Sequence, residues 1–500
     1  VKRKKFTLEK VLVTGYASEG KSLAKIDGKV IFIEGAVPGD VVDVFVSTNK
    51  KDWGEGRATK IHEYSKDRAT PFCRHFGLCG GCKWQMLPYE KQLEYKQQEV
   101  VQHLKRIGKV ALPEIMPIAG ADATRYYRNK LEFTFSNKRY LTSEEIKSLP
   151  MPPEKPAKPG EEQHGLPVQN ETHKLTIPNT PFSTGLGEAG ALGFHVPRIF
   201  DKIIDIHECF LMDDVNNRLR NSIRDFAKTN QYSFYDIKQH TGWLRNIIIR
   251  YCSTGELMVN ICLGFDDEVE RKKLLDFILE QVPSITTLLY TINPKWNDTI
   301  YDLSPQVHSG KGYVTEKLEG FTFKIGPKSF FQTNTQQAEK LYRITRDFAG
   351  LTGNEIVYDL YCGTGSIGIF LSGQAKKVIG VEVVAEAIED AKENAARNNI
   401  GHAEFFAGDV IKICNDAFFA EHGRPDVIIT DPPRAGMHAA LVEKLLEIAA
   451  PKIVYVSCNP ATQARDLALL DAKYSVEKIQ PVDMFPHTHH IECVVLLKLR

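Results

Sequence analysis

The sequence predicts an α/β protein: a doubly wound, mostly parallel sheet in the last third, preceded by a small β-barrel and a central α+β region. Three observations carry that expectation. From Phe321 onward, apolar runs at 356–360, 377–381, 426–430 and 452–456 alternate with helical stretches, which is how parallel βαβ units read. Gly363-x-Gly365-x-x-Gly368 directly follows the first of these runs, where a tight turn can open a helix onto a nucleotide. Residues 6–64 are short β-rich runs broken at Gly15, Gly20, Gly28 and Pro38-Gly39, the spacing of a small barrel.

A chain of 500 residues is too long for one core, so two to four domains are expected. The boundaries read as 1–65 for the barrel, 66–320 for the central domain and 321–500 for the parallel-sheet domain. Hydrophobic content of 42% and charge of 25% are ordinary for a soluble globular protein. With 64 Lys plus Arg against 63 Asp plus Glu, global charge selects no acidic partner. Val1-Lys-Arg-Lys-Lys5 is a local basic arm, read either as a solvated terminus or as an RNA contact. No apolar run reaches the ~18 residues of a membrane span, and no signal peptide opens the sequence. A monomer in a reduced, cytoplasmic setting is therefore expected, where the ten cysteines point to metal or catalysis rather than disulfides.

Along the chain, strands are expected near 11–14, 28–33 and 40–46. A cysteine cluster follows, then a long helix over 88–104 with Pro88 in its first turn. Residues 125–135 read as a strand with a basic, aromatic start. Residues 141–192 shift in composition, and Met151-Pro-Pro-Glu-Lys-Pro-Ala-Lys-Pro-Gly160 cannot sustain helix or sheet, so this is read as an inserted, mobile loop. Strand and helix signals resume at Gly193. Two further strands, 474–480 and 491–499, would close the last sheet.

The chemistry concentrates in the final third. Glu382 ends the strand after the glycine loop and could hold ribose hydroxyls; Asp409, in Ala407-Gly-Asp409, could accept from an adenine amino group. A glycine loop alone fits a nicotinamide cofactor or S-adenosylmethionine, and Asp431-Pro-Pro-Arg434 at another strand end favours the second. Cys458, in Ser457-Cys-Asn-Pro460, sits at the carboxyl end of a buried strand, where open α/β sheets bind ligands. A thiolate there has a purpose. C5 of a uracil is a poor nucleophile until a soft thiolate adds at C6 and makes an enolate; a base must later remove the C5 hydrogen so that the thiol can leave.

Five segments, Gly326-Pro-Lys-Ser-Phe-Phe-Gln332-Thr-Asn334, Asp359-Leu-Tyr-Cys-Gly-Thr-Gly365, Asp431-Pro-Pro-Arg-Ala-Gly436, Ser457-Cys-Asn-Pro460 and Asp483-Met-Phe-Pro-x-Thr-x-His490-Ile-Glu492, resemble the RNA uracil-C5 methyltransferases. The N-terminal part resembles the TRAM barrel of that family's ribosomal RNA branch, which the transfer RNA branch normally lacks together with the cysteine cluster. The resemblance implies a Rossmann-like methyltransferase domain, S-adenosylmethionine as methyl donor and 23S ribosomal RNA as substrate. It implies that Cys458 is the nucleophile and Glu492 the base; should another group be the base, His490 is the next candidate. It also implies that Gln332, Tyr361, Glu382 and Asp431 contact the cofactor, and that Gln332 and Asp431 stand near the target base. Phe330 is placed to stack on the uracil. The 141–192 stretch has no counterpart in the family.

Cys73-x5-Cys79-Gly-Gly-Cys82 supplies three soft ligands, and Cys209 is the candidate for a fourth, although Phe210 stands where the family has proline. Four thiolates suit zinc or an iron–sulfur cluster, and spacing does not separate them; the resemblance implies [4Fe-4S]. Cys252 and Cys262 alternate with apolar neighbours and read as core, and Cys362 has no activating neighbour. Three other readings compete. A transfer RNA uracil-C5 methyltransferase would use the same chemistry. A nicotinamide-dependent oxidoreductase leaves Cys458 and Glu492 unexplained, and a non-catalytic ribosome-assembly factor accounts for the barrel but not for the site.

Overall fold

The computed structural model describes residues 5–142, 145 and 190–500. The first four residues of the basic arm and nearly all of the Pro-rich stretch lie outside the described residues. The expected loop ends slightly early, since Ala191 and Leu192 already pair with Ser136 and Phe135.

Six strands, β1 (Phe6–Leu12), β2 (Gly15–Tyr16), β3 (Ser22–Ile26), β4 (Lys29–Glu34), β5 (Val41–Asn49) and β6 (Trp53–Glu63), form one sheet in the order β1-β5-β6-β4-β3-β2. Three register shifts between β5 and β6 insert bulges that bend the sheet around its own core. That core is small: Val11, Val13, Ala24, Ile31, Ile33, Val42, Val44 and Val46. The expected strand at 11–14 ends sooner, at Leu12, because Val13 and Thr14 turn to bond Asp40 and Leu23.

The helix Tyr89–His103 follows, with Pro88 extended (ψ 149°) at the cap position just before the first turn. The second sheet contains β7 (Lys130–Ser136), β8 (Ala191–Val196), β9 (Ile199–Asp205), β10 (Leu244–Tyr251), β11 (Leu257–Leu263), β12 (Thr287–Ile292) and β13 (Gln306–Gly310), in the order β13-β12-β11-β10-β7-β8-β9. Its one parallel pair is β11 with β12, joined by the helix Glu268–Gln281. That helix and Val215–Thr229 cover one face, stacking Phe277 on Phe226 at 3.9 Å. The strand expected at 125–135 starts only at Lys130. Residues 125–129 bend instead, with Tyr126 at φ 56°, because the N–H groups of Tyr126 and Arg128 bond the carbonyls of Phe210 and Leu211.

A hairpin, β14 (Val314–Leu318) and β15 (Phe321–Ile325), leads into the last sheet; the expected boundary at 320/321 falls in its turn. The last sheet contains β16 (Ile356–Leu360), β17 (Lys377–Glu382), β18 (Ala403–Ala407), β19 (Val427–Thr430), β20 (Lys452–Ser457), β21 (Tyr474–Val482) and β22 (Glu492–Leu499), in the order β18-β17-β16-β19-β20-β22-β21. The first five in that order are parallel, and β22 runs antiparallel to both β20 and β21. β18 is the strand that periodicity does not announce, because Ala403-Glu-Phe-Phe-Ala407 is short and half polar. The sheet is apolar on both faces, as parallel sheets are. One face shares its core with the second sheet through Cys252, Met258 and Leu289, so those two regions pack as one body. Among the described residues, no helix is long and apolar enough to cross a membrane.

Candidate active site

Strand order sets where a site can form. β17 lies on one side of β16 and β19 on the other, so the crevice beyond their carboxyl ends is the switch point where open sheets take ligands. Leu360 pairs with Val381 and with Thr430, so Tyr361, Glu382 and Asp431 emerge together at that edge. Ser457 pairs with Cys493. One step further, Cys458 leaves the end of β20 opposite Glu492, the first residue of antiparallel β22.

The glycine loop follows Tyr361. A Cβ at Gly363 would meet nothing within 4 Å, whereas one at Gly365 would come within 3.1 Å of Phe405 and Ala391. Gly363 therefore keeps backbone open toward the crevice, and Gly365 permits close packing behind it. Tyr361 is held at φ 62°, an uncommon conformation for a residue with a side chain. Glu382 accepts from the N–H groups of Gly363 (3.3 Å) and Val384 (3.0 Å), bracing the loop. Asp409 stands exposed at the rim and caps the short helix Val410–Ile413 through the Ile411 N–H (2.9 Å). The Tyr361 hydroxyl is raised by burial and then by the charges of Asp409 and Glu382, which ties those three expected cofactor contacts to one corner.

Asp359, in β16, braces this loop, and the amino-acid order alone assigns it no role. Its Oδ2 accepts the Gly368 N–H at 2.8 Å, while Oδ1 is buried with no partner. Burial lifts its carboxyl to about 7. The signal was present in Ile356-Val-Tyr-Asp-Leu360, where one acid interrupts an apolar strand.

Around the thiol, burial and the charges of Glu492 and Asp431 push Cys458 up to about 11, with Arg434 pulling the other way. Glu492 is raised well above the carboxylate range by burial and by Asp431, again opposed by Arg434; burial raises Asp431 also. A buried Glu492 and a half-buried Asp431 thus face one half-buried thiol, and Arg434 is the cation that favours the ionised forms of Cys458 and Glu492. Arg434 is a motif letter in the sequence and acquires its partners only in the fold. Its Nη2 donates to His490 Nδ1 at 3.2 Å. Burial, then His489 and Arg434, drive His490 down to about 3, so it is neutral at pH 7, with Nδ1 already engaged. The Arg434 carbonyl accepts from Asn459 Nδ2 (3.0 Å). Asn459 also caps the helix Pro460–Leu470 through the Ala461 N–H (3.1 Å), with Pro460 in its first turn. The loops carrying Asp431 and Cys458 are thereby fastened to each other.

Gln332 and Phe330 sit on the segment before the helix Thr335–Ala349. Asn129 Nδ2 donates to the Gln332 carbonyl at 3.0 Å, and Phe330 is 69% exposed. The Asn334 side chain reaches the Met484 carbonyl (2.8 Å), joining this segment to the one that precedes Glu492.

Away from the rim, Cys73, Cys79, Cys82 and Cys209 line one apolar cavity of about 30 Å³ together with Phe72, His75 and Phe210. Burial raises Cys82 to about 12, helped by the other three thiols. The four sulfurs therefore feel one another, although among the described residues no group of three or more His, Cys, Asp or Glu is set to ligate a metal ion. Cys252, Cys262 and Cys362 are buried. Cys362 lies against the position a Gly380 Cβ would fill.

Known proteins resemble this chain over its whole length. Residues 304–500 match the family described as tRNA (Uracil-5-)-methyltransferase, and residues 2–59 match the TRAM domain. An uncharacterized RNA methyltransferase of Bacteroides thetaiotaomicron is 52% identical over 487 residues, covering 97% of this chain and 100% of that one. One from Porphyromonas gingivalis is 49% identical over 489 residues, covering 97% and 98%. Among solved structures, the Pyrococcus abyssi tRNA (uracil-54, C5)-methyltransferase in complex with S-adenosyl-L-homocysteine superposes with a TM-score of 0.68 at 26% identity, over 99% of this chain and 100% of that one.

Proposed function

The chain belongs to the S-adenosylmethionine-dependent RNA uracil-C5 methyltransferases, and from that premise we propose that it methylates C5 of a uridine in 23S ribosomal RNA through a Cys458–C6 adduct resolved by Glu492. The observation that carries the adduct is the register of β20 against β22, with Ser457 opposite Cys493. It sets a thiol and a carboxyl across from each other at the edge where the glycine loop opens.

S-adenosylmethionine supplies the methyl group. The open backbone at Gly363, with Tyr361, Glu382, Asp409, Asp431 and Gln332, would hold it. Cys458 Sγ bonds to C6, and the C5=C6 pair moves toward the C4 oxygen as an enolate. That pair then returns through C5 to form the new bond to methyl, which the donor would release as its own C–S bond breaks with the pair on the donor's sulfur. Glu492 takes the hydrogen from C5, the released C–H pair re-forms C5=C6, and the C6–S bond breaks with its pair on sulfur. Arg434 favours the thiolate before attack and the Glu492 carboxylate before release. Phe330, exposed beside Gln332, would stack on the uracil.

Cys73, Cys79, Cys82 and Cys209 would hold a [4Fe-4S] cluster. The support is the chemistry of the donor set, four thiols lining one apolar cavity though not drawn together as a ligating group, and methyl transfer needs no electrons, so the cluster would be structural. The ribosomal assignment rests on the barrel and these cysteines. A transfer RNA substrate is the second reading, favoured by one observation. The Pyrococcus tRNA enzyme matches 99% of this chain, so overall layout does not separate the two RNAs.

The test uses labelled methyl donor with 23S ribosomal RNA and transfer RNA transcripts side by side. Cys458→Ala should give no product with either. Glu492→Gln should stall after methylation and leave a labelled protein–RNA band on a denaturing gel, which disappears in the double variant. Turnover by Cys458→Ala, or unhindered release by Glu492→Gln, would overturn the mechanism; label in transfer RNA alone would overturn the substrate.

A further inference from the structure

The segment 483–491 carries the chain into Glu492, and its clasp comes from a distant part of the sequence. The helix Tyr89–His103 turns Tyr89, Gln92 and Lys96 toward it. These residues are spaced three and four apart and so share one face. Lys96 and Asp483 are both fully buried, and Lys96 Nζ donates to Asp483 Oδ1 at 2.6 Å and to the Phe485 carbonyl at 3.2 Å. The Tyr89 hydroxyl donates to Asp483 Oδ2 at 2.8 Å. Gln92 Oε1 accepts the His487 N–H at 2.8 Å, and Gln92 Nε2 donates to His487 Nδ1 at 3.1 Å. Directly after Cys82, the N–H groups of Lys83 and Trp84 donate to the His487 carbonyl. From the other side, Gln337 Nε2 reaches the Asp483 carbonyl at 2.7 Å.

A buried ion pair is a poor device for stability alone, since desolvating both charges offsets most of their attraction and apolar side chains would pack as well. What it does supply is a fixed geometry. Here that geometry belongs to the chain that sets the position of Glu492. Among the described residues, neither Lys96 nor Asp483 forms a hydrogen bond or ion pair with Cys458, Asp431 or Arg434.

We propose that Lys96, acting through Asp483, is a positioning residue for Glu492, needed for release of the methylated RNA and not for attack by Cys458. The inference rests on the Cys458–Glu492 reading above. Because removing one partner strands a buried charge, the variant to use is the neutral pair Lys96→Met with Asp483→Asn, which keeps the volume and removes both charges. Tyr89→Phe removes the one hydrogen bond from Tyr89 to the same carboxylate, together with the bond its oxygen accepts from the Ala121 N–H, and leaves both buried charges in place.

Single-turnover experiments with labelled methyl donor would follow methyl transfer and RNA release separately. In the double variant, methyl transfer should stay within about threefold of wild type. Release should slow about 10- to 100-fold, as a misplaced catalytic group implies, and a covalent protein–RNA band should build up. That band should vanish when Cys458→Ala is added. Tyr89→Phe should show the same split, weaker. If the double variant does not fold, Tyr89→Phe decides: equal slowing of both steps, or no slowing, overturns the proposal. If Glu492→Gln traps RNA while the Lys96 and Tyr89 variants do not, the positioning role fails and the mechanism survives. If Glu492→Gln traps nothing, the mechanism itself has failed.

Discussion

Cys458 is defined by its neighbours more than by its own chemistry. A free thiol with two acids nearby is a weak nucleophile at neutral pH, because burial, Glu492 and Asp431 all raise it, to about 11. Arg434 and a backbone hydrogen bond oppose them. Alkylation of Cys458 by iodoacetamide, read on its own peptide by mass spectrometry, should therefore be slow at pH 7 and rise toward pH 11. Glu492→Gln removes one of the charges that disfavour the thiolate, so its profile should move to lower pH. Arg434→Met removes the charge that favours it and should move the profile higher. Unmoved profiles in both variants would show that these groups do not govern the thiol.

At the scale of elements, loops are fixed by a few buried polar groups rather than by apolar contact. In the N-terminal sheet, the fully buried Asp40 carboxylate accepts from the Val37 and Ser65 N–H groups and from Arg68, at 2.7 to 2.9 Å. Burial alone would raise its pKa, but the Arg68 guanidinium and the two N–H groups outweigh it and hold the carboxyl below its ordinary 3.8. A depressed native pKa contributes stability that is present above the unfolded value and lost as pH falls through the native one. Asp40→Asn should accordingly cost about 1–3 kcal/mol at pH 7, with the deficit shrinking below about pH 4, where the unfolded chain's carboxyl is protonated. Urea titrations at pH 7 and pH 3 would measure it. A deficit of equal size at both would assign the effect to packing.

Over the whole molecule, the second and third sheets share apolar residues in one core, Met258 and Leu289 among them. They should unfold in one cooperative step, and Leu289→Ala should lower that step by about 2–5 kcal/mol while leaving the N-terminal sheet, with its separate core, at its own midpoint. The cysteine cavity is tied to the site by the same chain. Cys82 is followed by the two N–H groups that hold the His487 carbonyl. Anaerobically purified protein should carry iron and sulfide with visible absorption, lost in Cys79→Ser. Stoichiometric zinc without iron would overturn the cluster.

Read alone, the amino-acid order announces the alternation of strands and helices in the last third, the glycine loop, and the candidates for the chemistry. Those are local properties: periodicity marks strands, positive-φ turns favour glycine, and Cys458 or Glu492 stands out beside an apolar run. Tertiary structure decided what depends on partners far along the chain. It turned 125–129 from strand into a bend because the carbonyls of Phe210 and Leu211 take its N–H groups, and it added β18 beside β17 through pairing that Ala403–Ala407 does not advertise. It set Cys458 opposite Glu492 through the antiparallel return of β22, engaged His490 with Arg434, and buried Lys96 on Asp483, 387 residues away. A helix with Gln92 and Lys96 on its inner face reads as a solvated surface until the segment it clasps is in place, because the favourable contacts of a buried charge lie entirely on its partner.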